Sequence, residues 1–171
     1  MTASRATQLT AVCTCGRVEI VATGRPILTA ACYCDDCREG SGRIEARPQA
    51  PRVREPDGST AYVLFRKDRV ACRRGQDLLK AEKLKATSAT NRMVATCCNS
   101  AMTLAFDRGP HWTSLFRNRV RETPPPIEMR NFTKYKPADV VLPDDAPSYR
   151  TFPLSFIGRL LAARIAMLFG P

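Results

Sequence analysis

The sequence is short of several things, and each shortage narrows what the chain can be. It carries one histidine in 171 residues, so a site built on several imidazoles is excluded. Met1 to Thr10 is polar and holds no apolar stretch of the length a secretion signal needs, which predicts a reducing, cytoplasmic setting for the thiols. There is no internal repeat and no run of five or more like charges, so the basic excess is scattered rather than gathered in a tail. No apolar segment suits a bilayer: the last one, Ser155 to Phe169, makes a helix of only about 22 Å.

Turns are plentiful, with 13 prolines and 9 glycines, and the length suits one loop-rich domain with a real core. Lys and Arg outnumber Asp and Glu by 27 to 16, a formal charge of +11. Seven cysteines binding two zinc ions as thiolates would lower this to roughly +8. A basic balance suits nucleic acid or an anionic ligand, but aromatics alternate with basic residues only around Arg130 to Lys136. A solvated basic surface is the simpler reading, and the oligomeric state is not legible.

Strand-like stretches recur at turn-length spacing. Val18–Ala22 alternates, Thr23-Gly24-Arg25-Pro26 turns, and Ile27–Ala31 is apolar, which predicts a hairpin between the two. Ser59–Phe65, Val70–Cys72, Leu84–Thr87, Arg92–Thr96 and Met102–Phe106 continue the pattern. Residues 35–40 suit a helical turn capped by Asp35 or Asp36, with its positive end toward the neighbouring thiols. Gly40–Gly58, with three prolines and no apolar period, is expected to be an exposed, mobile loop. Beyond Arg121 the chain is Pro-rich and expected to be extended, ending in a helix that places Phe156, Ile157, Leu160, Leu161, Ile165 and Leu168 on one side, docked on the domain, with a partner or membrane surface as its rival role. The division expected is 1–121 as the zinc-binding domain and 122–171 as an extended segment plus helix packed on it. The fold class is mainly β: antiparallel sheets pinned by metal, with short helices and a C-terminal helix.

The cysteines carry the chemistry. Cys32-Tyr33-Cys34-Asp35-Asp36-Cys37 places three thiols in six residues, and Cys13-Thr14-Cys15-Gly16 and Cys97-Cys98 add two pairs. Zinc takes four soft ligands in a tetrahedron, and closely spaced pairs let one turn supply two of them. Cys13 and Cys15 need partners, and Cys97-Cys98 is the obvious source, giving a closed structural site. Cys32, Cys34 and Cys37 give three ligands and leave a fourth position open, as catalytic zinc does, unless Cys72 fills it. A disulfide framework, an iron–sulfur site and buried free thiols are the rivals.

Cys13-Thr14-Cys15-Gly16-Arg17-Val18, Cys32-Tyr33-Cys34-Asp35-Asp36-Cys37-Arg38 and Cys98-Asn99-Ser100-Ala101-Met102 resemble, in that order, three signatures of the glutathione-dependent formaldehyde-activating enzyme family, which includes CENP-V-like proteins. The resemblance spans about residues 9–115. It implies a Mss4-like β fold with a structural zinc on the outer signatures and a labile, catalytic zinc on Cys32, Cys34 and Cys37. It also implies a carbon–sulfur lyase-type activity, the addition of glutathione or a related thiol to formaldehyde. The late signature departs from the family's spaced C-x-x-C-G: Ala95 stands at the first cysteine's place, Cys97 directly precedes Cys98, and Asn99 replaces glycine. Adjacent residues on a strand point to opposite faces, so Cys97 and Cys98 share an ion only across a turn, with Asn99 taking left-handed geometry. Without that turn, Cys98 alone joins Cys13 and Cys15, and Cys72 or water completes the shell.

Of the remaining residues, His111 reads as a packed residue before it reads as a ligand or base. Asp35 and Asp36 read as helix caps or proton relays, and Arg38, Arg43 and Arg47 as possible carboxylate receptors or solvated charges. The expected partners are a small-molecule thiol and aldehyde. The competing function is a non-catalytic zinc module whose basic surface meets a protein or nucleic acid.

Overall fold

A computed structural model describes residues 8–170. Two sheets form the frame. The smaller has the order β1-β2-β5, with β1 at Gln8–Val12, β2 at Glu19–Thr23 and β5 at Val70–Arg74. The larger has the order β10-β3-β4-β9-β8-β7-β6, made by β3 (Leu28–Cys32), β4 (Thr60–Arg66), β6 (Leu79–Glu82), β7 (Thr90–Ala95), β8 (Ser100–Phe106), β9 (Trp112–Phe116) and β10 (Met129–Asn131). All pairings are antiparallel except β10 with β3. The architecture is the mainly β one expected, with few helices and one near the C-terminus.

The pleat sorts the large sheet's side chains between two cores. Val63, Phe65, Met102 and Leu115 face the small sheet and pack on Leu9, Val18 and Ile20. Tyr62, Leu64 and Phe116 face the other way, toward α1 (Asp35–Glu45) and α2 (Leu154–Ala166).

Several expectations are corrected. Val18–Ala22 and Ile27–Ala31 do not form a hairpin, because β2 and β3 lie in different sheets. The burial explains it: β2 alternates and covers one core, whereas Leu28, Thr29, Ala30 and Ala31 are all buried, as in a strand inside a sheet with both faces covered. The hairpin is β1–β2, and Cys13 and Cys15 sit in its turn. Leu84–Thr87 is not a strand; β6 lies upstream, and its exposed Lys80 and Ala81 hide the edge strand's pattern. The short β10, buried throughout, was not anticipated in the Pro-rich region.

Gly40–Gly58 is not a mobile loop. Helix α1 continues to Glu45, burying Cys37, Gly40, Ser41 and Ile44 at helical spacing. Gly and Ser are weak helix formers, but packing outweighs propensity here: the Ser41 hydroxyl meets that of Thr60 at 2.9 Å. The Glu45 carboxylate then ties down the following turn by accepting from the Val53 and Arg54 backbone N–H groups at 2.8 and 2.7 Å. The N-cap is Cys34, not Asp35 or Asp36, which both lie in the first turn. Helix α2 docks through Phe156 and Leu160, and the His111 Nε2–H donates to the Leu160 carbonyl at 2.7 Å. Ile157, Leu161, Ile165 and Leu168, expected on the same docked side, are exposed. Among the described residues no helix is long and apolar enough to cross a membrane.

Candidate metal centre

Two turns bring four sulfurs together. In the β1–β2 turn, Gly16 at φ +76° lets the chain fold back so that the Gly16 N–H reaches the Cys13 carbonyl at 2.9 Å. The Val18 N–H donates to the Cys13 sulfur at 3.2 Å. Between β7 and β8, residues 96–99 form the turn that the adjacent cysteines require, and Asn99 is left-handed at φ +53°. The sulfurs of Cys13, Cys15, Cys97 and Cys98 all lie within 4.8 Å of one another. Cys13–Cys15, Cys13–Cys97, Cys15–Cys97 and Cys97–Cys98 are 3.6, 3.9, 3.3 and 3.8 Å apart. Zn–S bonds of about 2.3 Å make tetrahedron edges of about 3.8 Å, so this donor set fits zinc. The same spacings are far too long for disulfides. Cys72 belongs to neither group; its sulfur donates to the Arg74 carbonyl at 3.2 Å.

The surroundings favour negative charge on Cys15 and Cys98 and oppose it on Cys13 and Cys97. Burial pushes the Cys13 thiol up. Burial also acts upward on Cys98, but the Ser100 and Thr14 hydroxyls and the Cys15 backbone outweigh it and lower the group to about 5. Burial and the Cys15 and Cys98 sulfurs raise Cys97 to about 12. Arg17 and Arg119 lie close enough to feel the sulfur charges.

The second group is Cys32, Cys34 and Cys37, also within 4.8 Å of one another. Cys32 ends β3, Cys34 caps α1 and Cys37 lies one turn into it, so sheet and helix both fix the set. Cys32 and Cys34 are 3.4 Å apart, and the Tyr62 hydroxyl reaches Cys37 at 3.6 Å. Hydrogen bonds from Cys32 and Cys37, helped by the Cys37 backbone N–H and Arg92, hold Cys34 down to about 3 against burial. Its partners move the other way. Cys32 is driven far up by Cys34 and Cys37. Cys37, although Cys32 pulls it down, is raised to about 12 by Cys34 and burial. One negative charge is thus favoured at Cys34, at the positive end of α1, and a cation is needed before all three sulfurs ionise.

These three cysteines line a cavity of about 410 Å³, which the four-cysteine group does not border. The other residues weighed from the sequence stand apart or are already paired. Arg38 donates to the Tyr135 carbonyl at 2.8 Å, Arg43 pairs with Glu39 at 2.5 Å, and Arg47 grips Glu82 with both guanidinium ends. His111 packs against Trp112 and holds α2. Asp36 stands at the cavity, exposed, whereas Asp35 is exposed and does not line it.

Sequence reasoning missed Arg92, Tyr62, Asn131 and Phe132, which all line the cavity. Arg92 is 4% exposed; its Nη2 donates to the Asp36 carbonyl at 2.6 Å, while Nε and Nη1 have no partner among the described residues. Its signal was available, since Arg92 shares a strand phase with buried Val94, an expensive place for a charge. Burial raises the Tyr62 phenol well above its ordinary value, so it remains a donor.

A mainly β frame that gathers two cysteine clusters at metal-binding spacing, one closed and one beside a cavity, defines the class. The chain belongs to the family described as glutathione-dependent formaldehyde-activating enzyme, which matches residues 8–122. A Rhodobacter sphaeroides protein of known crystal structure is similar over 82% of this chain and 99% of its own, at 14% identity and a TM-score of 0.49. No protein among those with curated functions matches the sequence.

Proposed function

We propose that the protein joins a thiol, glutathione or a related one, to formaldehyde, a carbon–sulfur lyase-type reaction. The carrying observation is that the three-cysteine group, and not the four-cysteine group, borders the cavity. Zinc bound by Cys32, Cys34 and Cys37 would supply a Lewis acid with one open position and lower the pKa of an incoming thiol. Cys13, Cys15, Cys97 and Cys98 would hold a closed zinc that staples the small sheet to the large one.

In the reaction the thiol sulfur attacks the formaldehyde carbon and the C–S bond forms. The carbonyl π electrons move to oxygen, and the thiol's proton ends on that oxygen, giving an S-hydroxymethyl adduct. The chain's residues serve this by position. The α1 N-terminus and the buried Arg92 favour negative charge beside Cys34. The protonated Tyr62 hydroxyl offers a hydrogen bond at the cavity floor. The walls around the adduct are mostly apolar.

The test follows ¹³C-formaldehyde by NMR with a panel of thiols. The full chain should speed adduct formation, and Cys34→Ser should abolish the effect while two zinc ions per wild-type chain are found by elemental analysis. Two zinc ions with no acceleration for any thiol would favour the second reading, a non-catalytic zinc module. The exposed residues Ile157, Leu161 and Ile165 on α2, with Leu168 just beyond it, support that reading as a partner surface.

A further inference from the structure

We propose that the cavity selects a thiol with an apolar body and a single anionic group over glutathione, with Phe132, Phe152 and Phe156 setting the apolar part of this choice and Arg92 the anionic part. The inference rests on the thiol reading above and deepens it by naming the substrate class.

The walls come from two sources. Leu104, Phe106 and Trp112 of the large sheet form one side, and Phe132, Phe152 and Phe156 form the other. The last three rings make a continuous aromatic surface: Phe132 meets Phe152 edge-on with centroids 4.6 Å apart, and Phe152 stacks on Phe156 at 4.4 Å. All three lie beyond residues 8–122, the part that matches the family. Phe132 holds φ +58°, a costly conformation for a bulky side chain, and hydrogen bonds on both sides keep it there. The Tyr33 N–H donates to the Asn131 carbonyl and the Thr133 N–H to the Tyr149 carbonyl, each at 3.0 Å. Strain maintained in this way places a ring where the cavity needs a wall.

Charge on the walls is limited, among the described residues, to the exposed Asp36 carboxylate, which could receive an ammonium, and the buried Arg92. Arg92 is the one cation lining the cavity among the described residues, and two of its nitrogens have no partner. The side-chain oxygen of buried Asn131 is also unpartnered. A carboxylate in the cavity can accept a charge-assisted hydrogen bond from this guanidinium, and one donor satisfies the amide oxygen. Glutathione brings two carboxylates, an ammonium and two peptide groups. Arg92 can meet one carboxylate, and the second would be stripped of water against aromatic rings with no cation to receive it. An apolar mercapto acid has no such surplus.

The experiment uses the full chain with its metal and reads the fluorescence of Trp112, the only tryptophan, which lines the cavity. The probes are 2-mercapto-3-phenylpropanoate, the neutral 2-phenylethanethiol, the sulfur-free 3-phenylpropanoate, and glutathione. The aromatic mercapto acid should bind at least about tenfold more tightly than glutathione. Phe152→Ala, at a partly exposed ring, should weaken both aromatic thiols about tenfold with the melting temperature kept. Arg92→Met should weaken the mercapto acid about tenfold and the neutral thiol less than about twofold. Glutathione binding as tightly as the mercapto acid, or indifference to Phe152→Ala, overturns the proposal. An equal loss for acid and neutral thiol in Arg92→Met would mean that Arg92 serves the cysteines alone, and overturns the single-anion part. Binding of 3-phenylpropanoate through Arg92 with no thiol converted would uphold the selectivity and sink the reaction. Conversion of glutathione alone would do the reverse.

Discussion

The guanidinium of Arg92 fills the space that a side chain at Gly40 would need: a Cβ there would stand 2.1 Å from Nε and 2.2 Å from Cζ. Glycine within a helix costs about 1 kcal/mol relative to alanine, so α1 gives up stability to seat this charge. Gly40→Ala should regain that helix propensity and lose about 1–3 kcal/mol to crowding, for a net change within about 2 kcal/mol. Affinity for an apolar mercapto acid should fall toward that of Arg92→Met. Thermal unfolding and Trp112 fluorescence measure the two effects, and an unchanged affinity would show that Arg92 does not depend on this vacancy.

The two cysteine groups should respond differently to loss of one sulfur. Cys13→Ser opens the site that joins the sheets and should cost on the order of 4 kcal/mol or more. Cys34→Ser should leave the melting temperature nearly unchanged, release one zinc ion and remove adduct formation. Metal analysis with calorimetry checks both. Equal destabilisation by the two variants would contradict the division of roles.

A pH effect is expected from Asp57, which accepts from the Tyr33 hydroxyl at 2.6 Å and so anchors the residue before Cys34. Burial acts to raise this carboxyl, but Tyr33, Ser59 and the charge of Arg130 hold it below the ordinary carboxylate range. A carboxylate depressed in the folded state stabilises fully above its unfolded value, about pH 4, and the benefit is lost as pH falls through the lower folded value. Asp57→Asn should therefore cost about 1–3 kcal/mol at pH 7, with the gap to wild type narrowing below about pH 4. Urea unfolding across that range tests it. A gap that stays constant would assign the loss to packing.

His111→Ala should release α2. The His111–Leu160 hydrogen bond is buried, and its removal with the ring should cost roughly 2 kcal/mol. Hydrogen exchange should rise across Leu154–Ala166 and stay unchanged in β4. Protection of α2 equal to wild type would mean that Phe156 and Leu160 suffice to hold it.

The cysteine groups were legible because short sulfur spacings are a local signal and metal geometry leaves few ways to combine them. The turn at Asn99 followed from the same argument, since neighbouring thiols on a straight strand cannot share a centre. Sheet membership was less readable: β2 and β3 are joined by a short turn, yet only the burial of both faces of β3 separates them. Helix α1 was half hidden because Gly40 is there for Arg92, 52 positions away in the chain, a relationship no local pattern contains. Phe132 and Phe152 carried no signal, because their role depends on where the Pro-rich segment returns to the sheet.

That return has a second effect. The outer side of β3 is occupied by β10, and β10 is closed in turn by the bridge between Arg130 and Ser148. A chain cut before Met129 would expose the hydrogen-bonding edge of β3 at the end that carries Cys32, offering a second copy both a template to pair with and a thiol to oxidise against. The segment that shapes the cavity thus also covers the sheet edge beside Cys32.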